Sequence, residues 1–160
     1  MFEIIIKGRG GQGAKTVMEI LCKAANYEDK FFLGYPEFGP ERSGTPISAY
    51  LKLDDLRIRS REPIRNADII VVLDRTLDKF DKGLKKNGIL IVNSAFEKNS
   101  HFVNADEIAE TAKSRSNMAM LGALIKITKI LKKENVEKAI RDSLPEENVK
   151  CFDMGFMKAQ

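Results

Sequence analysis

The chain has a single histidine, His101, and only two cysteines, Cys22 and Cys151, in 160 residues. With no CxxC pair, neither an iron–sulfur cluster nor a zinc site can be built from this chain alone. The lone histidine sits in a polar stretch beside Ser100, which excludes a Ser–His–Asp set. No cysteine neighbours a base, and no carboxylates gather at metal-ligand spacing. No run approaches the roughly 18 consecutive apolar residues that a membrane-spanning helix requires. Scarce cysteine and the lack of a signal peptide point to the cytoplasm. Basic residues outnumber acidic ones by 27 to 23, a net charge of +4, but most are lysines interleaved with acids. That pattern suits a solvated surface meeting an anionic partner better than a nucleic-acid stripe. At 43% hydrophobic, the chain has room for one domain with a full core.

What the chain does have is glycine in one place. Ile4, Ile5 and Ile6 form a short β-branched run typical of a strand buried on both faces. Gly8, Gly10, Gly11 and Gly13 follow, with Arg9 and Gln12 between them. Beyond Ala14, the apolar residues Val17, Ile20, Leu21, Ala24 and Ala25 recur at three- and four-residue steps, a helix reaching about Tyr27. Strand, glycine loop and helix make the layout of a phosphate-binding turn. Glycines let a ligand approach the backbone, and the helix start offers free N–H groups and a positive dipole end.

Two nucleotide-binding motifs can be tested by counting. Gly8 and Gly13 have Walker A spacing, but Ala14 intervenes before Lys15 and Thr16. That shift turns the lysine about 100° around the helix from where a nucleotide needs it. Gly8, Gly10 and Gly13 match GxGxxG, yet Glu28 and Asp29 precede the next apolar run instead of ending it. The dinucleotide fingerprint therefore lacks its ribose acid. A tight strand-to-helix turn that binds nothing is the plainer alternative.

Further along, Lys30 to Leu33 reads as a second strand. The stretch from Gly34 to Pro46 has three prolines and three glycines in thirteen residues, which predicts a rigid loop. Its exposed candidates are Tyr35, Glu37, Phe38, Glu41, Arg42 and Ser43, and a functional role competes with a structural cross-connection. Ile47 to Leu53 and Leu56 to Ser60 read as a hairpin at a sheet edge. Ala67 to Leu73 reads as a buried strand ending in Asp74. Leu77 to Leu84 reads as a short helix closed by Lys85, Lys86, Asn87 and Gly88, before a strand from Ile89 to Val92. A short run near Phe102 and Val103 precedes Asp106, a candidate N-cap for a helix through Ala112. Asn117 reads as the cap of a helix from Met118 to Lys133, and Val136 to Leu144 as a last helix stopped by Pro145. The fold class is α/β: a Rossmann-like, mostly parallel sheet with helices on both faces and an antiparallel hairpin, in a single domain over 1–160.

Four blocks together resemble a family. They are Gly8-Arg-Gly-Gly-Gln-Gly13, Pro36-Glu-Phe-Gly-Pro-Glu-Arg-Ser-Gly-Thr-Pro46, Ala67-Asp-Ile-Ile-Val-Val-Leu-Asp74 and Asn117-Met-Ala-Met-Leu-Gly122. In this order they are similar to the gamma subunit of 2-oxoacid:ferredoxin oxidoreductases, and Cys151 to Gly155 resembles its final block. The second block resembles pyruvate and branched-chain members more than 2-oxoglutarate members. The resemblance implies the conversion of a 2-oxoacid, coenzyme A and oxidised ferredoxin to acyl-CoA, carbon dioxide and reduced ferredoxin. It implies alpha and beta subunits holding thiamine diphosphate with Mg2+, and a ferredoxin-like delta subunit carrying 4Fe–4S clusters. No cofactor is assigned with certainty to this chain alone. Coenzyme A is the expected substrate at its interface, and ferredoxin the acceptor. The expected contacts for a phosphate-bearing cofactor or a partner subunit are Gly8, Arg9, Gly10, Gly11, Gln12, Gly13, Lys15, Glu41, Arg42 and Ser43. Arg42 suits a phosphate or a partner's carboxylate, because its planar fork matches both. A free-standing nucleotide-binding regulatory or scaffold module is the alternative.

Overall fold

The structure, a computed structural model, describes residues 1–37 and 44–160. Phe38, Glu41, Arg42 and Ser43 lie outside the described residues. Strand β1 (Phe2–Arg9) leads through the glycine turn into helix α1 (Ala14–Asn26), as the pattern predicts. Strands β2 (Phe31–Glu37) and β3 (Pro46–Asp54) follow, then β4 (Ala67–Val72), β5 (Leu84–Asn93) and β6 (His101–Val103). The chain closes with helices α2 (Ala105–Ala112), α3 (Ser116–Thr128), α4 (Lys133–Arg141) and α5 (Glu147–Lys158).

The six strands form one mixed sheet in the order β2-β3-β1-β4-β5-β6. Strands β1, β4, β5 and β6 run parallel to one another, whereas β3 is antiparallel to both β1 and β2. The antiparallel hairpin is thus β2–β3, and the expected partner strand at Leu56 to Ser60 is absent. Its residues belong to an extended segment, 55–66, that crosses to β4. Strand β2 also runs through Pro36, where a proline-rich loop was expected to exclude a strand. As the sheet's outermost strand, β2 can carry a residue without an N–H at little cost.

Ile4, Ile5 and Ile6 are all buried, so β1 is covered on both faces. The two covers differ. Ile4 and Ile6 share one core with residues from all five helices, whereas Ile5 packs with Ile64, Ile70, Val72 and Val92 in a second cluster that contains no helical residue. Helices therefore occupy one face, not both. The opposite face is closed by the 55–66 segment, through Ile64, and by Phe80. Lys52 fastens that segment: its side chain is 2% exposed, and its Nζ donates to the carbonyl of Glu62 at 2.7 Å. Glu3 supplies an opposite charge at 3.8 Å. A buried ammonium with no partners would be strongly destabilising, so this pair of contacts is what makes the position tolerable.

Other boundaries moved for local reasons. The helix expected from Leu77 to Leu84 is a set of turns, interrupted by positive φ at Lys79 (49°) and Gly83 (91°). The Lys85–Gly88 stop belongs to β5. Helix α2 is capped by Asn104, whose side chain accepts from the Glu107 N–H, and Asp106 sits in its first turn. Helix α3 begins at Ser116 and stops at Thr128, because Lys129 turns left-handed. Helix α4 starts three residues before Val136 and ends at Arg141. Helix α5 had no counterpart in the sequence reading. It lies directly against α3: a Cβ placed on Gly122 would stand 2.1 Å from the Phe152 carbonyl oxygen, and one on Gly155 2.1 Å from that of Ala119. Two backbones touching at two glycines leave no room for a methyl group.

Gly122→Ala should therefore destabilise the chain by about 1–3 kcal/mol through overpacking, despite alanine's better helix propensity. Denaturant melting checks this; a stabilised variant would mean that the two helices can move apart freely.

Candidate functional site

The site lies at the carboxyl ends of β1 and β4, where loops leave the parallel part of the sheet. The Leu73 N–H donates to the Lys7 carbonyl at 2.8 Å, which sets Asp74 beside the glycine turn. Asp74 then organises everything around it. Its Oδ2 accepts from Arg9 Nε and from Gln12 Nε2, each at 3.0 Å. Its Oδ1 accepts from the Thr76 N–H at 2.8 Å and the Thr76 hydroxyl at 2.6 Å. Gln12 closes the ring by accepting the Arg9 N–H at 2.7 Å through Oε1. Arg9 also donates to the Gly44 carbonyl at 3.1 Å and the Thr76 hydroxyl at 3.0 Å.

Arg9 and Gln12, both expected to face a ligand or partner, therefore have their polar groups directed inward. They brace the loop. Burial works to raise the Asp74 pKa, but the bonds from Thr76 and Gln12 and the charge of Arg9 outweigh it, holding the carboxyl below its usual range. Asp74 thus stays ionised as the anchor of the brace.

The glycines divide the remaining work. Gly8 is buried in β1. Gly10 ties the turn to the far side, its N–H donating to the Thr45 carbonyl at 2.9 Å. Gly11 has φ +90°, is exposed, and a Cβ there would meet nothing within 4 Å. It is the open point of the turn. Gly13 has φ +85° and precedes α1 as its N-cap, with no side-chain cap bond and no acid in the helix's first turn. The first N–H groups of α1 and the positive end of its dipole are thus left for a solvent molecule or an anion. Lys15 is exposed and pairs along α1 with Glu19 at 3.4 Å.

Asn117 is the residue whose role the pattern concealed. Read as a helix cap, it is instead 2% exposed in the first turn of α3, with Nδ2 donating to the Gly13 carbonyl at 3.3 Å. A Cβ on Gly13 would lie 2.2 Å from that nitrogen. Asn117 therefore locks the start of α3 onto the start of α1. The signal was present in the Asn117–Gly122 block, but nothing in its periodicity ties it to Gly13. Beside this junction lies an open cleft of about 520 Å³ whose lining includes Thr16, Lys113, Arg115 and Asn117.

Two loop candidates make contacts within the chain. The Tyr35 hydroxyl accepts the Ile64 N–H at 3.0 Å, and its ring stacks on Tyr50 at 5.1 Å. Glu37 accepts from the Tyr50 hydroxyl. Cys22 is partly buried, and burial raises its thiol pKa to about 11, so it stays protonated and unreactive.

The residues 3–157 match the model of the pyruvate ferredoxin/flavodoxin oxidoreductase family. The chain is 40% identical to the pyruvate/ketoisovalerate oxidoreductases common subunit gamma of Pyrococcus abyssi, over 100% of this chain and 98% of the relative. It is 37% identical to pyruvate synthase subunit PorC of Methanocaldococcus jannaschii, over 98% of this chain and 96% of the relative. The crystal structure of a pyruvate oxidoreductase subunit, PORC of Thermotoga maritima, superposes with a TM-score of 0.86 at 33% identity, covering 99% of this chain and 97% of that one.

The brace makes a pH-dependent contribution with a definite sign. Because the folded Asp74 pKa is depressed, its stabilisation is complete above the ordinary carboxyl value of about 3.9 and is lost as pH falls through the lower folded value. Asp74→Asn should lower the denaturation midpoint at pH 7, and the gap from wild type should narrow as acid protonates the wild-type carboxyl. An equal gap at both ends of the titration would mean the Asp74 charge contributes nothing.

Proposed function

The chain belongs to the pyruvate ferredoxin/flavodoxin oxidoreductase family, as a gamma subunit of a multisubunit 2-oxoacid:ferredoxin oxidoreductase, and we propose that it serves the coenzyme A side of that enzyme's active site. The reading rests chiefly on one observation: the braced glycine turn has Gly11 exposed and the start of α1 without a side-chain cap. A phosphate group fits such a start, since the backbone N–H groups donate and the dipole favours negative charge. Lys15 adds a mobile positive charge beside it. Glu41, Arg42 and Ser43, outside the described residues, join the proposed contacts because Gly44 and Thr45 tie their flank to Arg9 and Gly10.

In this reading pyruvate is the 2-oxoacid, in keeping with the names of the relatives, and the enzyme works in the cytoplasm. Alpha and beta subunits supply thiamine diphosphate and Mg2+, and a delta subunit supplies the 4Fe–4S clusters that pass electrons to ferredoxin. This chain does no bond-making. It orients coenzyme A, keeps the turn rigid through Arg9, Gln12 and Asp74, and helps hold the assembly together. The alternative of a free-standing nucleotide-binding module has weaker support, because the lysine is out of register and Glu37, although it ends β2, is separated from β1 by β3 and bonded by Tyr50.

Gly11→Asn tests the reading. Asparagine tolerates positive φ better than most residues, so the fold should lose no more than about 1–3 kcal/mol. Its side chain projects into the open space before the loop. In the reconstituted enzyme the KM for coenzyme A should rise several-fold while the free chain still melts cooperatively, and Lys15→Ala should shift it in the same direction. Unchanged coenzyme A dependence in both variants would reduce the loop to scaffolding.

A further inference from the structure

At the end of the sheet opposite the glycine turn, several large apolar side chains are exposed on both faces. Phe2 and Phe32 flank Leu53 from its two neighbouring strands, so the three side chains share one face. Phe2 is 46% exposed, Phe32 41% and the adjoining Phe31 46%. Leu56, just beyond the end of β3, is 74% exposed. These positions lie roughly 20 Å from the glycine turn, at about 3.3 Å per residue along β1.

Leu56 also opens the segment that crosses the helix-free face, and that segment carries Arg57, Arg59, Arg61 and Arg65. Four of the chain's nine arginines fall within nine residues. All four are exposed, and among the described residues none forms an ion pair or a side-chain hydrogen bond. Their backbone is not loose, because Lys52 holds the carbonyl of Glu62 and Ile64 is buried beneath. The guanidinium groups are thus presented on a fastened strap that starts at this end of the sheet; Phe31, opposite Asp54, alternates to the strap's face, and Phe2 and Phe32 border the same end from the helix-bearing face.

We propose that this end of the sheet is a docking surface for an acidic face of another subunit of the same enzyme, with Phe2, Phe31, Phe32 and Leu56 at its apolar centre and the strap arginines on its rim. Guanidinium forks match carboxylates in pairs, and aromatic residues with arginine are the composition enriched in protein interfaces. A DNA duplex, whose bases are already stacked on one another, would gain little from the phenylalanines. A second copy about a two-fold axis would bring the same arginines face to face. An acidic protein partner satisfies both halves of the surface. The proposal rests on the subunit reading above, and it leaves the glycine end free for coenzyme A and a different neighbour.

The test is co-expression of this chain with the remaining subunits of its oxidoreductase, followed by size-exclusion chromatography at low and high salt. The variants are Arg57→Glu/Arg59→Glu/Arg61→Glu and Phe31→Ser/Phe32→Ser. The arginine variant should melt like wild type as a free chain and the phenylalanine variant should still melt cooperatively, and each should cut the recovered complex by about tenfold at low salt, with the wild-type complex weakening as salt rises. Wild-type yields from variants that melt cooperatively would overturn the docking surface and leave the subunit assignment standing. Failure of the wild-type chain to assemble would overturn both. Variants that assemble normally but lose affinity for a DNA duplex would show that the arginines serve a nucleic acid instead.

Discussion

The ionised carboxylate of Asp74 is the interaction on which the site depends. It stands at the end of β4, reaches across to β1, and gathers the Arg9 guanidinium, the Gln12 amide and Thr76 around itself. A loop with four glycines in six positions has little conformational preference of its own, and its ordering costs more entropy than that of any comparable stretch. The brace offsets that cost from the sides. It satisfies Arg9 and Gln12 internally, which leaves Gly11 exposed and the start of α1 without a side-chain cap. Asn117 completes the arrangement from behind by bonding the Gly13 carbonyl. A rigid turn that exposes backbone N–H groups is a preorganised receptor for an anion, with little left to reorganise when the ligand arrives.

The legible parts of the sequence were those written in short-range chemistry. The isoleucine run, the glycine turn and the amphipathic α1 each declared themselves within a few residues, and Ala67–Asp74 showed both its strand and its terminal acid. The hidden parts depended on partners distant in sequence. Pro36 argued against a strand until its place at the sheet's edge made the missing N–H harmless. Helix α5 mixes charged and apolar residues, and its seating on α3 depends on a meeting of Gly122 with Gly155 that no periodicity reveals. Lys52 reads as a polar position on an alternating strand, yet it is buried because the 55–66 segment passes over it. Around the candidate site, the glycine turn could be read from sequence, whereas the bonds of Arg9 and Gln12 to Asp74 could not. Long polar side chains beside a phosphate-type loop look like ligands until their hydrogen bonds are traced.

The topology also explains how one small chain can serve a large assembly. All five helices crowd one face, so the opposite face is closed only by a fastened strap and a set of turns. The two ends of the sheet are chemically distinct. One offers backbone donors between glycines; the other offers phenylalanines with unpaired arginines. The proposed role of positioning a substrate between neighbours would need a separate surface for each, and these two ends stand roughly 20 Å apart along β1.

Hydrogen exchange in the assembled oxidoreductase, read with and without coenzyme A, tests the central claim most directly. Of the amides from Gly11 to Thr16, that of Gln12 is bonded to the Arg9 carbonyl at 3.0 Å, and the others, at the turn and the uncapped start of α1, should exchange fast in the free enzyme. Bound coenzyme A should slow these amides markedly, while those of the buried β1 stay unchanged. Exchange at Gly11 to Thr16 that is indifferent to saturating coenzyme A, in an enzyme that still requires it for turnover, would contradict a role for this loop in binding.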